Sequence, residues 1–335
     1  PPGPGTTLGA MSTVSGGVAA SREVLVLLRP SGVAGLVPEL ADPSAPHLTV
    51  KDQGVSRGDG LFETALAVPG DHGALTVRKL GAHLGRLGGS AEILDLPVPS
   101  PAQWRQAIDM GLAEFARSCP GTAATVKLTV TRGPETAAGL APQPTAWVLL
   151  TATALPDPSV RPAGLRVLLL NRGLDSRVAD KAPWLLAGAK TLSYAVNMAA
   201  LRHAKANGAD DVLFVSSDGQ LLEGPTSTAL LVRRDAEGRR ELVTPLRQQG
   251  ILAGTSQAVV FAAAEREGWP LGYGPLTPAD LEGIEGLWLA SSVRGVAPVL
   301  SVDGEPIPVD DELTDRLNAW LREDRDPGAH AVTVD

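Results

Sequence analysis

Residues 188–198 read GAKTLSYAVNM, and the lysine in this stretch, Lys190, is the feature around which the rest of the sequence is interpreted. It ends an apolar run, APWLLAGA at residues 182–189, in a chain with only six lysines against twenty-three arginines. A lysine at the end of an apolar run can extend its ammonium group to solvent and have no further role. Alternatively, loss of water lowers its pKa, and the neutral amine attacks a carbonyl to form a Schiff base. The motifs around Lys190 decide between these two interpretations.

The length and composition indicate a folded protein of two domains. The chain has 335 residues, of which 44% are hydrophobic and 20% are charged, and strand-like and helix-like segments alternate along it. The expected fold class is therefore α/β or mixed α+β. The formal net charge of -8 argues against a nucleic-acid partner, because binding to nucleic acid requires clustered cations. A small molecule is the expected partner.

The single cysteine, Cys119, excludes an internal disulfide bond and is compatible with a reducing, cytoplasmic location. The sequence has no run of about 18 apolar residues, the length that a membrane-spanning helix requires, so no membrane partner is expected. Residues 1–22 have neither a basic start nor a continuous apolar segment, and they are interpreted as a flexible tail. The five histidines show no metal-ligand spacing, so no metal site is expected.

In the first half of the chain, residues 23–155 are expected to form a small α/β domain. Apolar runs bounded by turn residues predict strands at residues 23–30, 48–68 with a glycine-rich turn inside, 124–133 and 145–155. Residues 74–94 are expected to change from a strand to a helix. A second helix is predicted over residues 101–118, which begin with a proline in a position that favours a helix start.

Three prolines within residues 156–164 mark this segment as the linker between the two domains. The second domain is expected to span residues 165–325, and residues 326–335 are expected to form a tail. The predicted elements of the second domain are a strand at 165–170, a helix at 191–208, an Asp-Gly hairpin at 210–234, a turn and helix at 250–269, and a strand, loop and strand at 286–304.

A series of motifs follows in order along the chain. They are VSRGDGLFETALAV at 55–68, HLGRLGGSAEIL at 83–94, KTLSY at 190–194, LLEGPTS at 221–227, GILAGTS at 250–256 and SSVRGVAPV at 291–299. Together they closely resemble the fold-type IV pyridoxal-phosphate enzymes, the family of aminodeoxychorismate lyases and of D-amino acid and branched-chain aminotransferases. The resemblance extends over residues 23–325, and within the family the actinobacterial type of aminodeoxychorismate lyase resembles the sequence most.

The resemblance implies a fold, a cofactor and an assembly. The implied fold has a small N-terminal α/β domain and a larger C-terminal domain with a barrel-like sheet, and the implied assembly is a homodimer with its active site near the domain junction. Pyridoxal 5'-phosphate is the implied cofactor, and a small-molecule amine is the implied substrate. Lys190 matches the lysine that forms a Schiff base with the cofactor and later moves protons. Glu223 matches the carboxylate that pairs with the pyridine nitrogen, which keeps the ring protonated as an electron sink.

The phosphate of the cofactor requires hydrogen-bond donors, and a glycine-rich turn that enters a helix supplies backbone N–H groups for it. Thr255 and Ser256 lie at the start of the helix predicted after such a turn. Arg86 and Ser292 match the phosphate-binding arginine and hydroxyl of the family. Tyr194 is expected to contact the cofactor, although the spacing between the lysine and this aromatic residue varies within the family.

The reaction favoured by the resemblance is that of aminodeoxychorismate lyase, which converts 4-amino-4-deoxychorismate to 4-aminobenzoate and pyruvate in folate biosynthesis. Thr64 matches a lyase threonine considered as a proton donor to the leaving enolpyruvate, and a strand threonine without a catalytic role is the alternative. Arg132 is a candidate for binding a substrate carboxylate or for a structural role at a strand end. An aminotransferase, a cofactor-binding protein without turnover, and an unrelated α/β binding module with a structural Lys190 stay open as alternatives.

Overall fold

The computed structural model describes residues 22–31, 35–70, 74–136, 143–155, 157, 160, 162–323 and 330–332. These residues form two β-sheets with helices packed on each, so the expected mixed α/β class is confirmed. Within the described ranges, no helix is both long and apolar enough to cross a membrane. The same ranges contain no group of three or more histidine, cysteine or acidic side chains that could hold a metal ion.

The first sheet has seven strands in the described part of the chain, and every neighbouring pair is antiparallel. In spatial order they are β15 (His330–Val332), β4 (Leu75–Val77), β3 (Gly60–Pro69), β5 (Ala123–Thr131), β6 (Thr145–Thr153), β1 (Glu23–Ser31) and β2 (Gly35–Ala41). Strand β15 comes from the segment expected as a C-terminal tail. Three residues of that segment therefore extend the edge of the first sheet.

The second sheet mixes parallel and antiparallel pairs. Its spatial order is β11 (Leu271–Tyr273), β10 (Arg240–Thr244), β9 (Thr228–Arg234), β12 (Gly286–Ser291), β13 (Gly295–Val302), β7 (Leu165–Asn171) and β8 (Asp211–Val215). A further strand, β14 (Glu305–Pro306), lies outside this order and pairs with β13. Strand β7 runs parallel to β8 and β13, and β10 runs parallel to β11. Alternate residues of β9 enter different cores: Leu230 and Val232 enter one, and Ala229 and Leu231 enter another.

The described residues include seven α-helices, which are α1 (Gln53–Arg57), α2 (Leu80–Leu94), α3 (Pro101–Ser118), α4 (Val178–Lys181), α5 (Ala195–Ala206), α6 (Thr255–Arg266) and α7 (Asp311–Glu323). Helices α2 and α3 cover the first sheet, and their apolar faces share one core with it. Helices α6 and α7 pack on each other and on the second sheet, and α5 packs on β8.

Helix α3 shows how local sequence and sheet packing agree. The Ser100 hydroxyl accepts a hydrogen bond from the Gln103 N–H, and the Gln103 side chain accepts one from the Ser100 N–H, which together form a capping box. Gly111 lets the helix approach the sheet closely, because a Cβ atom there would lie 2.5 Å from Leu150 Cδ1. The predicted helix at 101–118 is confirmed at both ends.

The strand predicted from residue 48 is wrong in its first part. Asp52 instead caps helix α1 by accepting a hydrogen bond from the Gly54 N–H at 2.8 Å. Its second oxygen accepts hydrogen bonds from the hydroxyls of Thr131 and Thr145, both at 3.0 Å. These contacts hold the segment as a turn beside the sheet, and only the part after the glycine-rich turn forms a strand, β3.

The helix predicted at 191–208 is shorter in the structure, because the residues at its start pair with β3. The Phe62 N–H donates to the Lys190 carbonyl at 3.1 Å, and the Leu192 N–H donates to the Gly60 carbonyl at 2.8 Å. Helix α5 consequently begins at Ala195. A pairing with strand β3, which lies far earlier in the chain, therefore decides where this helix starts.

The hairpin predicted at 210–234 is also shorter. The Asp-Gly turn returns β8 onto residues 221–223, and the Leu222 N–H donates to the Phe214 carbonyl at 2.8 Å. Strand β9, expected as the second arm, pairs instead with β10 and β12. The turn between β9 and β10, at residues 235–239, joins two antiparallel strands.

The domain boundary at residues 156–164 stays a prediction, because residues 156, 158, 159 and 161 lie outside the described ranges. Residues 1–21 of the predicted N-terminal tail lie outside them too, as do residues 326–329 and 333–335. All strands of the first sheet except β15 precede this segment, and all strands of the second sheet follow it.

Candidate active site

A cavity of about 820 Å³ is lined by residues from both halves of the chain. Eight of the nine site residues predicted from the sequence line it, namely Lys190, Thr64, Glu223, Arg86, Thr255, Ser256, Ser292 and Tyr194. Arg132, the ninth, is not among the lining residues. One cavity therefore brings together most of the residues that the expected chemistry requires.

Lys190 is held in the cavity by its backbone. Besides the carbonyl contact with strand β3, its N–H donates to the Ser90 hydroxyl on helix α2 at 3.2 Å. Gly60 is required on the facing strand, because a Cβ atom there would lie 2.6 Å from the Val130 carbonyl oxygen and 2.7 Å from Leu192 Cδ1. The lysine of the second half is thus fixed by elements of the first.

The Lys190 ammonium group lies among aromatic rings. Its Nζ atom is 4.5 Å from the centroid of the Phe62 ring and 5.5 Å from that of Tyr194. Burial lowers the pKa of Lys190 to about 8, and the positive charge of Arg86 contributes to the same effect. A substantial fraction of this amine is therefore neutral near physiological pH, as a nucleophile requires.

Glu223 lies in the same cavity with its side chain 15% exposed. Its Oε2 atom accepts a hydrogen bond from the Leu252 N–H at 3.1 Å, and its Oε1 atom lies 3.6 Å from Arg172 Nη1. Burial raises the pKa of the Glu223 carboxyl, and the charge of Arg172 acts against that rise. A cationic N–H group placed in the cavity would further stabilise the ionised carboxylate.

The start of helix α6 presents backbone donors to the cavity. Gly254 occupies the N-cap position without a side-chain cap, so the first N–H groups of the helix are not used by a capping residue. Thr255 and Ser256 begin the helix, and the Thr255 hydroxyl lies 3.1 Å from that of Ser292. A Cβ atom at Gly254 would lie 2.4 Å from Thr228 Oγ1, so glycine is required there. The combination fits a bound anion.

Arg86 faces this helix start from helix α2. Its Nε and Nη2 atoms donate to the two oxygens of Glu63 at 2.6 and 2.7 Å, and Nη1 donates to the Ala253 carbonyl at 2.7 Å. The guanidinium group has five N–H donors, so two remain for a ligand after these three bonds. Arg86 is thus oriented by protein contacts that leave donors available beside the turn before α6.

Glu63 is fully buried, and it also contacts His83 Nδ1 at 2.8 Å. Burial by itself would raise the pKa of this carboxyl, but the hydrogen bonds from His83 and Arg86 lower it to about 2. The pKa of His83 is lowered, chiefly by burial. A neutral His83 therefore donates from Nδ1 to an ionised Glu63, and Glu63 carries the negative charge that balances Arg86.

Tyr194 forms part of the wall of the cavity. Its hydroxyl donates to the Pro225 carbonyl at 2.6 Å, and the Asn197 side chain donates to the same oxygen at 2.7 Å. The ring meets Phe62 edge to face, with the centroids 5.2 Å apart. Burial raises the pKa of Tyr194 to about 12, so the phenol stays protonated at neutral pH.

Thr64 and Arg132 are placed differently. Thr64 follows Phe62 and Glu63 on β3 and lines the cavity. The Arg132 guanidinium group donates to Asp59 at 2.7 Å and to the carbonyls of Leu94 and Asp95, both at 2.9 Å. Those carbonyls lie at the end of helix α2. The contacts of Arg132 are therefore the kind expected for a structural role, which is the alternative to substrate binding given for this residue in the sequence analysis.

Four residues at or behind the cavity wall were not singled out from the sequence, and they are Glu63, Lys79, His83 and Arg172. Only Glu63 carried a usable signal, since it is an acidic residue in the otherwise apolar strand segment GLFETALAV. Lys79 is buried, and its Nζ atom lies 3.4 Å from Ser256 Oγ. His83 and Arg172 reach their partners through tertiary packing, which no local pattern records.

A partly neutral lysine, the carboxyl group of Glu223 and a helix start without a side-chain cap lie in one cavity, an arrangement that fits an enzyme of the pyridoxal-phosphate-dependent class. The model of the family "Amino-transferase class IV" matches residues 60–302, and the chain belongs to this family. The family expected from the motifs is thereby confirmed, and with it the expectation of an enzyme.

Several known proteins are similar to this chain. The bifunctional aminodeoxychorismate lyase / D-amino acid transaminase of Mycobacterium tuberculosis is 40% identical over 272 residues, which cover 81% of this chain and 91% of the relative. The structure of a fold IV-transaminase from Curtobacterium pusillum matches with a TM-score of 0.79 at 44% identity, and covers 90% of this chain and 100% of that one. The PLP-bound form of a hypothetical aminotransferase from Mycobacterium tuberculosis matches with a TM-score of 0.75 at 36% identity, over 89% and 98% of the two chains.

Proposed function

We propose that this enzyme is an aminodeoxychorismate lyase, which converts 4-amino-4-deoxychorismate to 4-aminobenzoate and pyruvate. The observation that carries the proposal is the presence of Thr64 in the same cavity as Lys190 and Glu223. The name of the relative from Mycobacterium tuberculosis, 40% identical to this chain, includes the same lyase activity.

The residues in the cavity fit pyridoxal 5'-phosphate. Among the described residues, no acceptor is hydrogen-bonded to Lys190 Nζ, so this amine is available to the cofactor aldehyde. Glu223 would accept a hydrogen bond from the pyridine nitrogen. The N–H groups at the start of α6, the two remaining donors of Arg86 and the Ser292 hydroxyl would hold the phosphate. When bound, the cofactor supplies an electron sink for the carbon that bears the substrate nitrogen.

In the proposed reaction, the chain's own residues move two protons. The Lys190 amine removes the proton from the ring carbon that bears nitrogen, which its lowered pKa permits near neutral pH. The C–O bond on the neighbouring carbon then breaks, the ring becomes aromatic, and the Thr64 hydroxyl donates a proton to the leaving enolpyruvate. Phe62 and Tyr194 keep bulk water away from the amine during these steps.

Amino transfer is the second candidate, and the names of two similar proteins favour it. The Mycobacterium tuberculosis relative is named for D-amino acid transaminase as well as for the lyase, and the Curtobacterium pusillum structure is named as a transaminase. Both reactions begin with proton removal by the same lysine. They diverge after that step: in amino transfer Lys190 would deliver the proton to a new position and a keto acid would be released, whereas in the lyase reaction enolpyruvate leaves the neighbouring carbon.

We also propose a homodimer in a reducing cytoplasm. Three apolar side chains that line the cavity are exposed in the single chain: Trp184 is 73% exposed, Leu185 48% and Val196 64%. Contiguous exposed apolar residues of this kind are typical of protein interfaces. A second copy that covers them would also close the cavity mouth.

The proposal is tested in two measurements on the protein purified with pyridoxal phosphate. Reduction with borohydride should fix the cofactor to Lys190, and Lys190→Ala should lose the visible absorbance and at least roughly 1,000-fold in turnover. Assays with 4-amino-4-deoxychorismate and with D-amino acid and keto acid pairs then separate the two reactions. Robust amino transfer without any 4-aminobenzoate would refute the lyase, and an unlabelled Lys190 in a cofactor-saturated sample would refute both.

A further inference from the structure

The arginines on the cavity wall already have carboxylate neighbours. These pairs are Arg86 with Glu63 at 2.6 Å, Arg172 with Glu223 at 3.6 Å, and Arg294 with Asp211 at 2.8 Å. Lys190 is the amine assigned to the cofactor. A further cation that contacts a negatively charged substrate should therefore lie beside the cavity and have no carboxylate partner.

Lys127 lies beside the cavity and meets this requirement. It stands in the middle of β5, directly opposite Thr64 of β3, and its side chain is exposed. Its Nζ atom is 5.1 Å from the centroid of the Phe62 ring. Phe62 and Thr64 are alternate residues of one strand, so they face the same side of the sheet, and both line the cavity.

The charge of Lys127 is not balanced by an acidic side chain in the described ranges, where no carboxylate lies within 4.0 Å of its Nζ atom. Its Nζ atom lies over the face of Phe62, and a ring face is a weaker partner for an ammonium group than a carboxylate is. Replacing water around this cation by a substrate carboxylate therefore gains an interaction without breaking an existing ion pair.

Lys190 and Lys127 lie close enough for one substrate to contact both of them. Lys190 Nζ and Lys127 Nζ lie near the same ring centroid, so they are at most about 10 Å apart. The flexible stem of lysine lets the ammonium group of Lys127 adjust by several ångströms. Burial is the main cause of the low pKa of Lys190, and the charge of Lys127 contributes to it, so the two groups interact across the cavity edge.

We propose that Lys127 binds a carboxylate of the amine substrate while the substrate nitrogen occupies the position at Lys190. The inference rests on the proposed function, because both candidate reactions use substrates that carry an amine and a carboxylate. It extends that function by naming the side chain that selects anionic amines over neutral ones. Phe62 then forms the flat surface along which the substrate lies between the two lysines.

The test compares Lys127→Met with wild type in the cofactor-loaded protein. Methionine keeps an apolar stem over Phe62 and removes the charge. Lys205→Met is the matched control, because Lys205 is an exposed lysine at the end of α5 and has no part in the site. Lys127→Arg is the conservative variant that keeps a cation.

Binding is followed by titrating the visible absorbance of the cofactor with 4-aminobenzoate and, separately, with 4-aminobenzamide, which has the same shape without the charge. We expect Lys127→Met to weaken 4-aminobenzoate binding by about 10- to 100-fold, the range for a lost charge-assisted contact, and to leave 4-aminobenzamide binding unchanged. Lys127→Arg should recover most of the loss, and Lys205→Met should match wild type. The KM for the turned-over substrate should rise in parallel while kcat changes only a few-fold.

Two outcomes would overturn the inference. One is equal binding of 4-aminobenzoate by Lys127→Met and wild type, and the other is an equal loss for the charged and the neutral ligand, which would indicate a packing role. Absence of turnover in wild type would defeat the proposed function alone, because the comparison of the two ligands does not depend on turnover.

Discussion

Glu63 is the most informative residue to replace, because a buried carboxylate here orients the arginine assigned to the phosphate. In Glu63→Gln, the guanidinium group of Arg86 loses its negative partner, and the amide N–H₂ of glutamine faces donors of Arg86 or His83 instead of accepting from them. A pair broken on one side leaves a buried charge uncompensated. We therefore expect Glu63→Gln to lower both the stability of the fold and the affinity for the phosphate.

The size of the effect follows from the pKa of Glu63. A decrease from 4.5 to about 2 corresponds to about 3 kcal/mol in favour of the ionised carboxylate in the folded protein. Because the folded pKa is the lower one, this stability is present above pH 4.5 and is lost as the pH falls toward 2. The linkage relation gives a loss of about 1 kcal/mol by pH 4 and about 2 kcal/mol by pH 3 for the wild-type protein.

The assay is urea denaturation followed by tryptophan fluorescence, without added cofactor, at pH 7 and at successively lower pH. Glu63→Gln should be about 3 kcal/mol less stable than wild type at pH 7, and the difference should shrink toward pH 3. Glu223→Gln is the control, since burial raises the pKa of Glu223 in spite of the nearby Arg172, so its ionised form adds no net stability to the fold. That variant should be as stable as wild type or more stable.

Two results would contradict this reasoning. If Glu63→Gln unfolds at the wild-type urea concentration at pH 7, the pair with Arg86 does not stabilise the fold. If the deficit stays constant as the pH falls, the effect comes from the shape of the side chain and not from its charge. Phosphate affinity is measured separately, by titrating each variant with pyridoxal phosphate.

Two further predictions concern the amine and the assembly. Because burial lowers the pKa of Lys190 to about 8, the initial rate of cofactor uptake should rise with pH up to about 8 and then level off. A rate that continues to rise up to pH 10 would indicate a lysine with an ordinary pKa. Trp184→Ser should raise the dissociation constant of the proposed dimer by about 10-fold or more in sedimentation equilibrium, because a 73% exposed tryptophan is a strong candidate for an interface anchor. An unchanged dissociation constant would place the interface elsewhere.

The fold could be predicted where local signals and packing agree. Helix α3 is one such case, since its capping box, its proline and its apolar spacing all lie within residues 100–118. The segment at residues 48–52 is the opposite case. It has apolar residues at strand spacing, but Asp52 forms hydrogen bonds with threonines about 80 to 90 residues later in the chain, and no local pattern reveals those partners.

The residues of the candidate site also fall into two groups, those that could be predicted from the sequence and those that could not. Lys190, Glu223 and the start of α6 could be named because each lies in a short motif that resembles a motif of the fold-type IV family. Arg172 could not, because it meets Glu223 only after β7 and β8 pair in parallel. The cations near the cavity are numerous, and only the three-dimensional pairing shows which of them are already balanced by carboxylates.

The pairing of residues 190–192 with β3 connects these observations. It attaches the backbone of Lys190 to β3 of the first sheet, whereas Glu223 and helix α6 belong to the second half of the chain. In the proposed binding mode, a cofactor held at its aldehyde by Lys190 and at its ring nitrogen and phosphate by the second half would therefore bridge the two. Arg86 and Glu63 add a second connection, since the Arg86 guanidinium group joins β3 to the turn before α6. Binding of the cofactor should consequently stabilise both halves together, and the loss of either connection should loosen the cofactor even when the amine itself is intact.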